Sequence, residues 1–438
     1  MSAARGMRAP LRHNGPPRHA PFVSRIAPIL ASLLFAFLVY TSSFPPSSSL
    51  SSSDSAPNDT NSRHLPSVNG CRPLAVTTLE PRENAAIVVL LRASDLSELL
   101  PTLANFEDKF NAAFRYPYVF LSDPGEGPLP PAFRRAVQGA LPGGAVVEYG
   151  VVPEAHWRIP GWMDEDAMRR GFKEQEARGV QYAGREGYHH MCRWYSGLWV
   201  QHPLLAKYEW FWRLEPGVRF FCSLTYDPIR FLSVNRRVYG FSITVVENDN
   251  TIPTLFSTVQ RYMAKRGIRS EDLDPALWGF LTRKENGKEF FSGCHSWTNL
   301  EIGDLRFFRS PQYQDFFRFL DQDGGFYRER WGDAPVRALG LGLFANLSQI
   351  HQFDDIGYQH DFFFRCPRKS TSRVPSSAWD PLVQYSLDGP TTGCKCECPR
   401  EGDLQGRKKG EEAVDMDKDW RWSCQEHWRT AGKKSLEK

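Results

Sequence analysis

Five short stretches of the chain crowd carboxylates, imidazoles, guanidiniums and aromatic rings into few positions. They are Tyr188-His-His-Met-Cys-Arg-Trp-Tyr195, Trp212-Arg-Leu-Glu-Pro-Gly-Val218, Cys294-His-Ser-Trp-Thr-Asn-Leu-Glu-Ile-Gly-Asp304, Glu329-Arg-Trp-Gly-Asp-Ala-Pro335 and Phe353-Asp-Asp-Ile-Gly-Tyr-Gln-His360. Mixtures of this kind recognise sugars and nucleotides: aromatic rings stack, and charged groups grip hydroxyls and phosphates. Glu215 stands out by position. Trp210-Phe-Trp-Arg-Leu214 reads as a strand running straight into Glu215-Pro216-Gly217, whose Pro and Gly end it and leave the carboxylate at its mouth.

The elements that would position these groups begin with Ala85–Leu91, a continuous apolar run of strand length suited to a buried parallel strand. Leu96, Leu99, Leu100, Leu103, Phe106 and Phe110 follow at helical spacing, with Ser94 as a cap and Pro101 expected to kink or delay the helix. Tyr118–Leu121 is a second strand. Strand, helix, strand makes a βαβ unit, and open α/β sheets bind ligands beyond the carboxyl ends of their strands, where Arg92 and Asp123 stand. Val238–Thr244 alternates like another strand, and Pro311–Leu320 and Pro335–Phe344 carry helical spacing. After Arg368 the pattern fades, and the charge-rich residues 401–438 are expected to form a solvated tail.

Charge and address limit the function classes. The first 53 residues hold five Arg and no acidic residue, so the remaining body is one charge from neutral. Such a body lacks the basic footprint of a nucleic-acid binder. Residues 1–25 read as a cytoplasmic tail, and residues 26–44 as an apolar signal anchor long enough for a bilayer core of about 20 residues. A cleaved signal peptide is the rival reading, and both send the body to the secretory lumen. Residues 45–82 are a Ser- and Pro-rich stem and residues 83–400 the folded domain. All nine Cys lie beyond the anchor, where disulfides are the default and an odd count leaves one thiol unpaired. Asn58-Asp-Thr60 and Asn346-Leu-Ser348 fit the N-glycosylation pattern.

From Glu83 to Pro367 the sequence resembles the fungal Golgi α-1,2-mannosyltransferases of glycosyltransferase family 15, through RxEPGVxFFC, NxEIGDLxFxRS, GGFxxERWGDAPV and FDDIGYxH. The resemblance implies an α/β GT-A fold: a Rossmann-like nucleotide-sugar half fused to an acceptor-binding half, on a mixed central sheet with flanking helices. It implies a type II Golgi membrane enzyme that transfers mannose with retention from GDP-mannose to mannose residues of O- or N-linked glycoprotein glycans, with Mn²⁺. A non-catalytic Golgi mannan-binding or scaffolding protein of the same fold is the alternative.

By the same likeness Glu215 and His360 would hold the metal, and Glu301 would lie beside the anomeric carbon of the sugar. Arg92, Tyr188 and Asp333 would contact nucleotide or substrate; Asp123, at its strand end, joins them as a nucleotide-side candidate. The chemistry is coherent. A departing diphosphate needs its charge neutralised, and Mn²⁺ accepts carboxylate oxygen and imidazole nitrogen. Retention can proceed through a carboxylate nucleophile or by front-face attack, with Glu301 serving as nucleophile in the first and as electrostatic support in the second. Asp304 could share a helix face with Glu301, or serve as a cap or ion-pair partner. Asp333 has a capping role open to it before Ala334-Pro335. The DxD triplets 164–166, 321–323, 415–417 and 417–419 sit in polar surroundings and read as solvated faces. Ser223, Val246, Asn248, Ser296 and Asp361 depart from the pattern of the family, which bears on acceptor choice.

Overall fold

Residues 71–367, 393–399 and 412–436 are described by the structure, a computed structural model. The expected tail, anchor, first part of the stem and first sequon lie outside them. Among the described residues no helix is long and apolar enough to cross a membrane.

Ala85–Leu91 (β1) has no polar side chain because it is covered on both faces: Ala86 and Val88 enter one hydrophobic core, and Ala85, Ile87, Val89 and Leu91 the other. Tyr118–Ser122 (β2) pairs with it in parallel and carries Val147–Val151 (β3) on its far side. Trp210–Leu214 (β4) flanks the opposite edge, also in parallel. There follow Arg219–Phe220 (β5), Tyr239–Phe241 (β6), Thr244–Val246 (β7) and the hairpin Thr282–Glu285 (β8) with Lys288–Phe291 (β9). Cys294–Ser296 (β10), Leu300–Asp304 (β11), Ile350–Gln352 (β12), Tyr358–His360 (β13), Phe363–Arg365 (β14) and Val414–Asp415 (β15) complete the set. The central sheet runs β12-β6-β11-β4-β1-β2-β3, with β11 antiparallel to both its neighbours. A smaller sheet, β15-β14-β13-β5, and the pair β10-β7 stand beside it. The fold is the expected mixed sheet between helical layers.

Some expectations change. Leu96–Phe106 is helical straight through Pro101. Burial of Leu99, Leu103 and Phe106 outweighs the lost donor of the proline, a cost of about 3 kcal/mol. The expected strand 238–244 divides into β6 and β7, which enter different sheets. Asp304 ends a strand, so it shares no helix face with Glu301; its Oδ1 accepts from the Arg306 amide at 2.8 Å, and its carboxylate pairs with the Arg306 guanidinium. Gly332, not Asp333, caps the helix Asp333–Phe344.

Both ends of the expected domain also move. Cys71, assigned to the stem, is disulfide-bonded to Cys394, and Thr77 Oγ1 donates to the Thr225 carbonyl at 2.8 Å. The described part of the expected solvated tail is folded. Cys424 is bonded to Cys294, β15 extends the small sheet, and Trp428 packs edge-on against Phe241 and Phe280. The charge of this segment hid a few apolar anchors and an internal ion-pair chain in which Asp417 joins Arg365 to Arg429. Cys222–Cys396 and Cys366–Cys398 complete the pairing, and buried Cys192 is the thiol left over.

Candidate functional site

A cleft of about 650 Å³ opens at the carboxyl ends of β1 and β4. The turn after β4 explains the placement of Glu215: Pro216 follows it, Gly217 takes φ 89°, and the Val218 amide returns to the Glu215 carbonyl at 3.2 Å. A side chain at Gly217 would be strained in that left-handed conformation. His360 ends β13, whose pairing with β5 carries it back beside the turn. Its Nε2 lies 3.7 Å from Glu215 Oε2.

This separation suits two neighbouring donors on one cation, since manganese- and magnesium-type ions hold their ligands at roughly 2.1 Å. Among the described residues no third His, Cys, Asp or Glu joins them in a cluster. Asn299 sets the ring: its amide lies 3.1 Å from His360 Nδ1, and the Tyr358 hydroxyl bonds the other end of that amide at 2.9 Å. Asn299 Nδ2 donates to Nδ1 while its Oδ1 accepts from Tyr358, which leaves the Nε2 proton facing Glu215; binding a cation through Nε2 requires the amide turned over, its oxygen accepting from Nδ1–H. With the amide so turned, the Glu215–His360 pair fits a divalent ion.

Strand register builds the layer below. Arg213 and Glu215 are two apart, so they share one face of β4, and Glu301 on β11 is the cross-strand partner of Arg213. Arg213 Nη2 donates to Glu215 Oε1 at 2.5 Å and Nη1 to Asp333 Oδ2 at 2.6 Å; Nη1 lies 3.6 Å from Glu301 Oε1. The guanidinium also covers the Tyr195 ring at 3.6 Å. Asp333 and Arg337 are one helical turn apart on Asp333–Phe344, and Arg337 Nε pairs with Glu301 Oε2 at 2.8 Å. Thr298 gives Asp333 a further bond at 3.0 Å.

The two buried acids differ. Burial raises Asp333, but Arg213 and Arg337 outweigh it and hold its carboxyl below the ordinary range. Glu301 stays raised, because burial exceeds the pull of Arg337 and Arg213.

The cleft gathers Arg92, Tyr188, Glu215, Asp333 and His360, residues drawn from opposite ends of the domain. Glu301 is not among its walls: it has no exposed surface and lies behind Arg213, held by Tyr239 and Arg337. Asp123 is also outside the lining, because its carboxylate closes its own turn onto the Gly125 amide at 2.6 Å. Arg92 projects with its guanidinium paired to Asp95 at 2.9 Å. Tyr188 is partly buried under Arg330, and burial pushes its hydroxyl up strongly, so it remains a donor. Tyr195 lines the cleft, whereas Trp194 and Trp199 are plain core. None of the DxD triplets reaches the cleft: Asp164 is a helix cap, and Asp321 and Asp323 pair with Arg193 and Arg261.

Arg213, Glu247, Asn299 and Arg330 are site residues that sequence reasoning passed over. A lone arginine inside the otherwise aromatic and aliphatic strand Trp210–Leu214 was the available signal for the first, since a buried charge needs partners. Glu247 is the carboxylate that faces the cleft where Glu301 does not, with Arg330 Nη2 3.7 Å away.

Comparison with known proteins agrees with this geometry. Residues 48–385 match the family model described as glycolipid 2-alpha-mannosyltransferase. The chain belongs to that family. It is 34% identical over 380 residues to O-glycoside alpha-1,2-mannosyltransferase homolog 4 of Schizosaccharomyces pombe, covering 78% of this chain and 79% of the relative. With alpha-1,2 mannosyltransferase KTR1 of Saccharomyces cerevisiae identity is 37% over 315 residues, 70% and 76% of the two chains. Among solved structures, core-mannan synthase A of Aspergillus fumigatus in its Mn/GDP form superposes with a TM-score of 0.61 at 37% identity, covering 69% of this chain and 82% of that one. The GDP complex of mannosyltransferase Ktr4p from S. cerevisiae gives 0.62 at 35%, covering 69% and 77%.

Proposed function

We infer that this chain is an α-1,2-mannosyltransferase of the secretory pathway. It transfers mannose with retention from GDP-mannose to mannose residues of O- or N-linked glycoprotein glycans. The single observation that carries the reading is the Glu215–His360 pair, 3.7 Å apart at the mouth of β4, in a cleft that also presents Arg92 and Arg330.

Glu215 and His360 would hold Mn²⁺, with Asn299 fixing the imidazole. Bound there, the ion supplies charge neutralisation for the departing diphosphate. Arg92 and Arg330 add positive charge to the walls of the cleft, and Tyr188 donates a hydrogen bond without losing its proton. Asp333, held ionised by Arg213 and Arg337, accepts hydrogen bonds from substrate hydroxyls. Glu301, screened from the cleft by Arg213, supports an oxocarbenium-like state electrostatically, which favours front-face attack over a covalent intermediate on that carboxylate.

The four disulfides suit an oxidising lumen. With the apolar run 26–44 as a signal anchor, they support a single-pass type II Golgi protein.

Incubating the protein with GDP-mannose, Mn²⁺ and methyl α-mannoside tests the reading. Transfer with an α-1,2 linkage is expected, and Glu215→Ala should abolish turnover together with its dependence on metal. Absence of both transfer and GDP release from the wild type would overturn it.

A further inference from the structure

The cleft also carries aromatic surface. Trp297 packs edge-on to the His360 ring at 5.5 Å, Phe363 is the cross-strand neighbour of His360, and Phe362 and Trp422 line the same cleft. Trp422 comes from the C-terminal segment, beyond residue 385 where the family match ends. Its indole is half in solvent, at 48% exposure, yet its backbone is tied down at every turn. The Trp422 carbonyl accepts from the Val246 amide at 2.9 Å, and its own amide donates to Asp419 at 2.8 Å. Ser423 bridges to Val245, and Cys424 is bonded to Cys294 at the start of β10. Two residues before it, Trp420 is 86% exposed, the most exposed large apolar side chain described.

The fixed backbone of Trp422 sets its half-exposed ring in the cleft lining, where an aromatic face is open to a ligand. The hydroxyl-bonding groups nearby are Glu247 and Asn248, next to Val246 in the same lining. A flat aromatic face beside a carboxylate and an amide is the complement of a pyranose ring, which offers one face of C–H groups and an edge of hydroxyls.

We propose that residues 412–424, stapled by the Cys294–Cys424 disulfide, form the acceptor platform of this enzyme. Trp422 stacks on the mannose nearest the reaction centre and Trp420 extends the surface for the next sugar of an α-mannoside chain. This rests on the mannosyl-transfer reading for the identity of the sugar.

The test uses the full chain in detergent with Mn²⁺ and GDP, and measures binding of methyl α-mannoside, α-1,2-mannobiose and mannotriose by calorimetry beside the KM for each in transfer. Trp422→Ala should weaken mannobiose about tenfold, or about 1.4 kcal/mol, with GDP affinity unchanged. Trp422→Phe should restore most of that binding. Trp422→Leu keeps bulk without an aromatic face, should behave like the alanine variant, and serves if that one does not fold. Trp420→Ala should weaken mannotriose more than methyl α-mannoside. Unchanged mannobiose affinity in the alanine and leucine variants, an equal fall in GDP affinity, or no mannoside binding by the wild type would overturn the platform. If the wild type binds mannobiose through Trp422 but transfers no mannose, the platform stands and the transfer reading falls. If it transfers mannose and Trp422→Ala keeps its acceptor KM, the reverse holds.

Discussion

Replacing Arg213 with methionine tests the electrostatic account of the site most directly. The arginine side chain is 4% exposed, so methionine fills most of its volume while deleting the charge. Two buried carboxylates are left facing one another, Asp333 with 8% and Glu301 with 0% of the side chain exposed, and Arg337 is then the one guanidinium in the cluster. Removing one partner of a buried ion pair costs about 3–5 kcal/mol. With an unfolding entropy of about 0.7 kcal/mol per degree for the 329 described residues, melting should fall by about 4–7 °C at neutral pH. The pH dependence gives a sharper signature. In the wild type the Asp333 carboxyl is lowered by its arginines, so its stabilisation is present above the unfolded value of about 3.9 and lost as pH falls through the folded one. In the variant burial is less opposed: Asp333 rises above its unfolded value, Glu301, already raised, rises further, and stability falls more steeply than in the wild type as pH climbs from about 4 toward 7. Thermal melts of both proteins across that window measure the difference. Indistinguishable melting at neutral pH, or parallel pH profiles, would refute the assignment of Arg213 as the counter-charge.

Three further outcomes follow from other contacts. Asn299→Ala releases the His360 ring and should weaken Mn²⁺ about 10–100-fold by calorimetry, with the fold intact. Asp355 is held at about 7 chiefly by burial, with the Tyr226 hydroxyl and Arg365 opposing and Asp354 adding to the shift. Its folded form keeps a proton that the unfolded chain releases, so it destabilises as pH rises from about 4 to 7. Asp355→Asn should therefore remove up to about 1.4 kcal/mol of loss per pH unit in that window, read from denaturant titrations at several pH values. Cys424→Ser opens a link between residues 130 apart and should cost about 4–5 kcal/mol by the loop-entropy argument, seen as a lower denaturant midpoint.

The amino-acid order by itself determined what depends on neighbours along the chain. An apolar run long enough for one strand placed β1, and Pro216-Gly217 closed the turn that brings the Glu215 carboxylate to a strand mouth. The motif around His360 pointed to the partner of that carboxylate, and the odd cysteine count required one free thiol. These features are short-range, because strand period and turn geometry are written in two to four residues.

Tertiary structure decided what depends on register between distant segments. Glu301 looked like a cleft residue from its motif, but the antiparallel pairing of β11 with β4 set it opposite Arg213 and beneath it, out of solvent. Asp123 sat at a promising strand end, yet its carboxylate closes its own turn. The charged C-terminus read as solvent-facing because composition averages over a segment; a disulfide to a residue 130 positions away and the packing of Trp428 carry it back to the cleft. Ion pairs and cross-links form between groups that meet only after the sheet has assembled, so no local pattern announces them.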